Sequence, residues 1–380
     1  MYRSYQLRIK PNKEQAQLLN HTLEVSCELY NAALQERMDA WKVQRKVVGL
    51  FEQYKELTVL RHTEDNTATI ASDICRDALH RVDTAMSSFF HRVRDRVESK
   101  KRGRPRYRSV ARYNSFSALF MAGFRLYKDN RIHIAKLSTF HFRASQPIIG
   151  SPKQITLRRH GNNKWSICLV CDIGPAPAEC KPSKNPVGID LGTARLLTTS
   201  DGKQVANPKW RDQCIGNVAA AQKSFLSKKR GSKNKLKALE KLRRAHQRWN
   251  NLRNNHCHAV SNLLLKRYDG IVHEDFNISK MTTGSRYAKS IKDAAWGKLL
   301  FQLRYKAEEA GIPVIAVDPR NTTQQCSGCG ILVPKTVKDR IHKCPSCGLT
   351  LDRDHNAAIN ILRLGRSLVE SPSVALKSAA

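Results

Sequence analysis

Long apolar runs are absent: none approaches the ~18 residues that a membrane span needs. The N-terminal Met1-Tyr-Arg-Ser-Tyr-Gln-Leu-Arg-Ile has no apolar core leading to a small-residue cleavage site, so neither a secretory leader nor a membrane partner is expected. A disulfide framework is also lacking. The 11 cysteines are odd in number and mostly scattered, which argues against a stapled secreted scaffold and points to a reducing, cytoplasmic compartment. Cys168 and Cys171 form a C-x2-C pair, but their segment alternates as a strand, where an odd separation sends the two sulfurs to opposite faces. Acids are scarce. Against 67 Lys plus Arg stand 32 Asp plus Glu, a formal net charge of +35. This is not the mixed surface of an ordinary enzyme; it calls for a polyanion, and with no basic amphipathic anchor standing alone, nucleic acid fits best.

The chain is 380 residues long, enough for about two to four domains. Residues 1–12 read as a strand over Tyr2 to Ile9, followed by Pro11 at the opening of a helix. Residues 13–104 read as a helical module. Its first helix carries Leu18, Leu19, Leu23, Cys27, Tyr30 and Leu34 at helical spacing, and its second runs from about Ala71 to Arg96 with Arg76, Arg81, Arg92, Arg94 and Arg96 opposite the apolar side. Gly103 and Pro105 then break the helix, leaving Lys101, Arg102, Arg104 and Arg106 in an extended, phosphate-tracking segment. Short alternating pieces, such as Arg131-Ile-His-Ile and Trp165-Ser-Ile-Cys-Leu-Val, predict a small barrel over 105–180. If the N-terminal strand completes it, the helical module is an insertion.

Prolines between Gly174 and Pro186 mark a linker. Beyond it, residues 181–320 read as a second α/β domain. Val187-Gly-Ile-Asp190-Leu-Gly and Arg195-Leu-Leu-Thr-Thr form a hairpin, and basic helices run from Ala219 to Trp249 with an interruption at Gly231. Lys228, Lys229, Arg230, Lys233, Lys235 and Arg244 are candidate phosphate contacts there, while Leu236, Leu239, Leu242 and Trp249 read as a buried stripe. A strand Gly270-Ile-Val-His-Glu274 follows, then a helix from Ile291 to Ala310 and a strand Pro313-Val-Ile-Ala-Val.

Residues 321–350 hold Cys326-Ser-Gly-Cys329-Gly and Cys344-Pro-Ser-Cys347-Gly, the spacing of a four-cysteine zinc ribbon. Directly after it, Asp352-Arg-Asp354-His-Asn-Ala-Ala opens a helix, in which Asp354 can act as a cap or as a metal-binding acid. Asp190, Glu274 and Asp354 thus stand at element ends, with Asp275 and Asp352 as competitors for the second and third positions and Asp201 read as a turn residue. Carboxylates without a histidine suit Mg2+ or Mn2+ and, if they converge, a two-metal phosphodiester hydrolysis.

These stretches, with Arg-Ile-Lys-Pro-Asn-Lys-Glu-Gln near the N-terminus, Gly-Arg-Pro-Arg-Tyr-Arg before Tyr-Asn-Ser-Phe, and Asp293-Ala-Ala-Trp296, resemble the TnpB proteins of bacterial insertion sequences, relatives of compact type V CRISPR effectors. The resemblance covers almost the whole chain. It implies a multidomain α/β fold: a helical recognition lobe inserted in an oligonucleotide-binding β-barrel (wedge), followed by an RNase H-like RuvC domain with an inserted four-cysteine zinc ribbon. It implies that the RuvC part resumes over 351–366, and residues 367–380 read as a flexible tail. It also implies an RNA-guided DNA endonuclease. Its guide RNA comes from the transposon end, with one chain per RNA, and it cuts target double-stranded DNA beside a short transposon-associated motif. By the family's motif Asp190, Glu274 and Asp354 bind Mg2+ or Mn2+, Asp354 taking precedence over Asp352 because it precedes x-Asn-Ala-Ala. Phe276 and Thr323 stand where leucine and serine are frequent, and neither removes a ligand. Two other classes are an RNA-guided repressor that does not cut and a transposase or transposition accessory protein. The intact acid set argues against the first, and the lack of a His-hydrophobe-His motif with a nucleophilic tyrosine against the second.

Overall fold

Alternation along β1 (Tyr2–Ile9) buries Tyr5, Leu7 and Ile9 on one face. The computed structural model describes residues 1–63, 65–95, 103–161, 164–175, 182–283, 285, 287–336 and 339–370. The chain divides into two units, Met1–Gly174 and Pro175–Ala380. In the first, β1 is followed by α1 (Lys13–Asp39), α2 (Leu50–Thr63), α3 (Asp65–Thr69) and α4 (Ser72–Arg94). Strands β2 (Ser115–Leu119), β3 (Phe124–Leu126), β4 (Arg131–Ile134), β5 (Ser138–Arg143), β6 (Ser151–Arg159) and β7 (Trp165–Asp172) come next. The order β2-β6-β7-β1-β5-β4-β3 places the N-terminal strand in the interior of a seven-stranded antiparallel sheet, and a bridge between Phe120 and Phe124 links its two ends. This is a near-closed barrel of the oligonucleotide-binding kind, with the helical lobe inserted between its first two strands.

The edge strand β2 is covered by α4 through a matched ladder. Asp73, Asp77 and Arg81 recur every four residues, a rise of about 6 Å, and meet Leu119, Ser117 and Ser115, which recur every two residues at nearly the same ~6.6 Å. The Leu119 and Ser117 amides each donate to Asp73 and Asp77 at 2.9 Å, and Arg81 donates to the Ser115 carbonyl at 2.7 Å. The helix thereby satisfies backbone groups that an open sheet edge leaves unpaired. Gly123 is tied to this contact, since a Cβ there would lie 1.8 Å from the Asp73 carboxylate.

Local chemistry accounts for the rest of the lobe. Asn12 and Gln15 form a reciprocal capping box at the start of α1. Helix α2 escapes the sequence pattern because it buries only Gln53 and Leu57. It is held instead by polar ties from Arg37, which donates to Gln53 at 2.8 Å and pairs with Asp83 at 3.0 Å. In β7, Cys171 is buried and Cys168 half-buried, as the alternation requires.

In the second unit, β8 (Pro186–Leu191), β9 (Arg195–Thr199) and β10 (Gln204–Ala206) precede the long hairpin α5 (Trp210–Leu226) and α6 (Lys233–Arg267). Strand β11 (Gly270–Glu274), α7 (Ile278–Met281), α8 (Ala288–Ala294), α9 (Trp296–Ala310) and β12 (Val314–Val317) follow, then β13 (Ile341–Lys343), β14 (Thr350–Asp352) and α10 (Arg353–Glu370). The sheet order is β10-β9-β8-β11-β12, with β8, β11 and β12 parallel. This is the RNase H-like arrangement, and β13 and β14 pair separately in the ribbon. One sheet face packs Val187, Ile189 and Ile271 with residues of α6 and α9, while Val272 and Val317 pack with Ile361 and Val369 of α10. Gly188 lets α10 approach closely, since a Cβ there would stand 2.2 Å from the Ala358 carbonyl oxygen.

Three expectations need correction. The helix expected from Ile291 to Ala310 breaks at Ala295, which adopts φ +56° and turns Trp296 toward the β8 loop. Leu236 is 64% exposed instead of buried. Leu239, Leu242 and Trp249, expected in the same stripe, are half-buried. Residues 367–370 are helical, with Val369 buried, against the flexible tail expected over 367–380; residues 371–380 lie outside the described ones.

Candidate active site and metal centre

The period of two along each strand decides what faces α10. On β8, Val187, Ile189 and Leu191 join the α6/α9 core, so Gly188 and Asp190 face α10; on β11, Val272 packs toward α10 and Glu274 takes the same side. Parallel pairing sets Ile189 against His273, so Asp190 and Glu274 stand one step farther along neighbouring strands. Helix α10 carries Asp354 in its first turn, near enough for its charge to act on Asp190, but the three carboxylates are not gathered within 4.8 Å of one another as the knuckle sulfurs are. Asp190 and Glu274 are 8% and 5% exposed. Burial, then the charges of Glu274 and Asp354, push the Asp190 carboxyl well above the usual carboxylate range. Burial also raises Glu274, against the opposing effect of a hydrogen bond from the Thr322 hydroxyl.

The competing acids have other work. Asp352 accepts the backbone amides of Asp354 at 3.0 Å and His355 at 3.3 Å and pairs with Arg195 at 2.7 Å, so it caps α10. Asp354 is thereby free of the capping role and meets the Arg353 guanidinium at 3.1 Å. Asp275 is exposed, and Asp201 takes bonds from Thr199, Lys203 and Tyr268 around its turn.

The four cysteines bring their sulfurs within 4.8 Å of one another, the one such group of potential metal ligands among the described residues. Cys326 and Cys347 approach to 3.6 Å and Cys329 and Cys344 to 3.5 Å, close to the ~3.8 Å edge of a tetrahedron with Zn–S near 2.3 Å. Gly330 and Gly348 follow the second sulfur of each pair with φ +82° and +70°, a turn that suits glycine. Their amides donate back to the Cys326 and Cys344 carbonyls at 3.0 and 3.1 Å. Burial opposes ionisation of Cys326, but the Cys329 amide, His342 and the Gly328 amide bring it down to about 7; the Cys347 amide helps lower Cys344 to about 6. The donor set fits zinc.

Of the basic candidates, Arg76, Arg104, Arg106, Lys228, Lys229, Arg230, Lys233 and Arg244 are exposed, Arg76 lying over the Tyr54 ring and Arg244 pairing with Glu240. Arg81 is turned into the β2 ladder, and Lys235 lies over Phe225 and donates to the Lys228 carbonyl at 3.0 Å. Lys101 and Arg102, like Arg96, fall outside the described residues.

Residues 1–46 match a family described as "Helix-turn-helix domain", 169–284 one described as "Probable transposase", and 296–361 one described as "Cas12f1-like, TNB domain". A protein of Streptomyces pristinaespiralis named "Putative RNA-guided DNA endonuclease" is 29% identical over 371 residues, covering 96% of this chain and 89% of the relative. One of Escherichia coli K12, "Putative RNA-guided DNA endonuclease InsQ", is 26% identical over 343 residues, covering 85% and 81%. A solved Cas12f1-sgRNA-target DNA complex shares the fold, with TM-score 0.59 at 15% identity over 95% of this chain and 84% of that one. The chain is similar in sequence to TnpB- and Cas12f-type proteins.

Within this TnpB-like chain the helix-turn-helix description does not fit what residues 1–46 form, since Tyr2–Ile9 is a barrel strand. The Cas12f1-like match spans Trp296, the ribbon and Asp354 together. Sequence reasoning missed several residues around the acids. The Trp296 indole donates to the Gly192 carbonyl at 3.2 Å and stacks on Phe276 at 5.5 Å, bracing the loops after β8 and β11. Asn356 and Asn360, both fully buried, bond the segment leading into the first knuckle. Two amides four residues apart in the apolar run Asn-Ala-Ala-Ile-Asn are the signal that could have flagged them.

Proposed function

We propose that this chain is an RNA-guided DNA endonuclease that hydrolyses phosphodiester bonds at Asp190, Glu274 and Asp354. The observation that carries the reading is the burial of Asp190 and Glu274 at the ends of neighbouring parallel strands, beside the helix whose first turn holds Asp354. Such a cluster costs stability unless a cation or proton offsets it, and its oxygen donors suit Mg2+ or Mn2+. When bound, such ions supply the Lewis acidity that activates a water and stabilises the leaving oxygen. The chain's own residues set the frame: Thr322 orients Glu274, Asp352 fixes the first turn of α10, and Arg353 balances Asp354.

Exposed cations on the α5–α6 hairpin and after α4 hold RNA and DNA phosphates, and zinc in the knuckle is structural. The partners in this reading are a guide RNA transcribed from the transposon end, one chain per RNA, and target double-stranded DNA beside a transposon-associated motif, in the bacterial cytoplasm. Family-level similarity supports it, because relatives matched over most of their length bear the name "Putative RNA-guided DNA endonuclease". No helix among the described residues is long and apolar enough to cross a membrane.

The test is to express the protein with its flanking DNA and sequence any RNA that survives a high-salt wash. A discrete RNA with a constant folded part and a 3′ end beyond the transposon boundary is expected, and it should direct cleavage of a matching duplex. Absence of a specific RNA would contradict guidance and leave an unguided nuclease or a transposition accessory protein.

A further inference from the structure

The knuckle and the acids share one hydrogen-bonded path, all of it within the second unit. The Thr322 hydroxyl, on a residue 2% exposed, donates to Glu274 Oε1, and the Thr322 carbonyl accepts Asn360 Nδ2 at 2.9 Å. The same Nδ2 reaches the Gln325 carbonyl at 2.7 Å, which also accepts Asn356 Nδ2 at 2.8 Å. Asn356 Oδ1 accepts the Ser327 amide at 2.9 Å. Cys326 lies between these two tethered residues. Helix α10, which carries Asp354, therefore grips the turn that enters the knuckle two and six residues after that acid, and that turn also holds Glu274.

Resting on the endonuclease reading, we infer that the knuckle is a positioning element of the acid site. Thr322 sets the Glu274 carboxylate, and Asn356 and Asn360 hold the entry turn in place relative to Asp354. A ribbon merely docked for stability does not require a hydroxyl on a site carboxylate. In metal sites, partners that orient a ligand cost 10–100-fold in affinity or activity when removed. Filling the knuckle with zinc fixes the entry turn, so its occupancy is felt at the acids.

The test uses the full chain and Mn2+ as probe, with binding read by loss of the free Mn2+ electron-spin signal. Thr322→Val removes the hydroxyl at nearly constant volume, and Thr322→Ser restores it. The expected result is a half-saturating Mn2+ concentration raised about 10-fold or more in Thr322→Val and restored to within about threefold in Thr322→Ser, with zinc content unchanged in both. Protein stripped of zinc and then given Mn2+ should shift in the same direction. Equal Mn2+ binding by wild type and Thr322→Val, or equal impairment of the Val and Ser variants, would overturn the inference. Glu274→Gln separates the two levels. If it abolishes Mn2+ binding while Thr322→Val changes nothing, the positioning role alone fails; if Glu274→Gln changes nothing, the reading of the acids fails with it.

Discussion

At the acid site Asp190 and Glu274 are buried, and their neighbours include a hydroxyl, a guanidinium and a capping carboxylate, each with a set task. Along the α5–α6 hairpin Lys228, Lys229, Arg230 and Lys233 are exposed, and even Leu236 is 64% exposed. Charge in the first region is costly and is held by the fold. In the second it is solvated, contributes little to the fold, and is left for a partner. Substitutions should therefore divide by region, with stability and metal binding answering to one and salt-dependent nucleic-acid binding to the other.

The largest effect on folding is expected at the knuckle. Cys326→Ser with Cys329→Ser should release zinc and forfeit several kcal/mol of local folding free energy, read as lost amide-exchange protection over residues 322–352. Retained protection would show that the ribbon does not need its metal. Gly188→Ala comes next, because the new methyl meets the Ala358 carbonyl. A cost of about 1–3 kcal/mol should lower the melting temperature, and an unchanged melt would mean that α10 can lift off the sheet freely.

Asp190→Asn should act in the opposite direction. A carboxyl whose folded value lies above its unfolded one contributes stability below about pH 3.9 that is lost as pH rises through the folded value. In metal-free buffer near neutral pH the variant should thus melt a few degrees higher than wild type, and added Mn2+ should stabilise wild type alone. A lower melt would remove the argument from repulsion. The smallest stability change belongs to the hairpin. Replacing Lys228, Lys229, Arg230 and Lys233 by alanine should move stability by no more than about 0.5 kcal/mol. The slope of log affinity against log salt should become shallower by roughly 3–4 if all four touch phosphates, and an unchanged slope would assign the phosphate contacts elsewhere.

The sequence made some of this legible because the physics there is local. Strand β1 shows in its alternation, the ribbon in its cysteine spacing, and Asp190 and Glu274 in their place at strand ends. What stayed hidden depends on partners distant in sequence. Helix α2 buries too little apolar surface to show a stripe, and Ala295 gives no hint of a left-handed turn. Arg81 looks like its neighbours on α4 until Ser115 is set beside it. Thr322 likewise reads as an ordinary loop residue until the fold brings Glu274 to its hydroxyl, 48 positions away.

The most direct test of the central claim is to load the protein with its co-purified RNA and offer a matching duplex with Mg2+, comparing wild type with Asp190→Ala. Both should bind the duplex alike, and only wild type should cut it, with cleavage by the variant reduced at least ~10³-fold, on the order of 4 kcal/mol in barrier. Equal cleavage by the two proteins would contradict the claim that Asp190 belongs to a hydrolytic site.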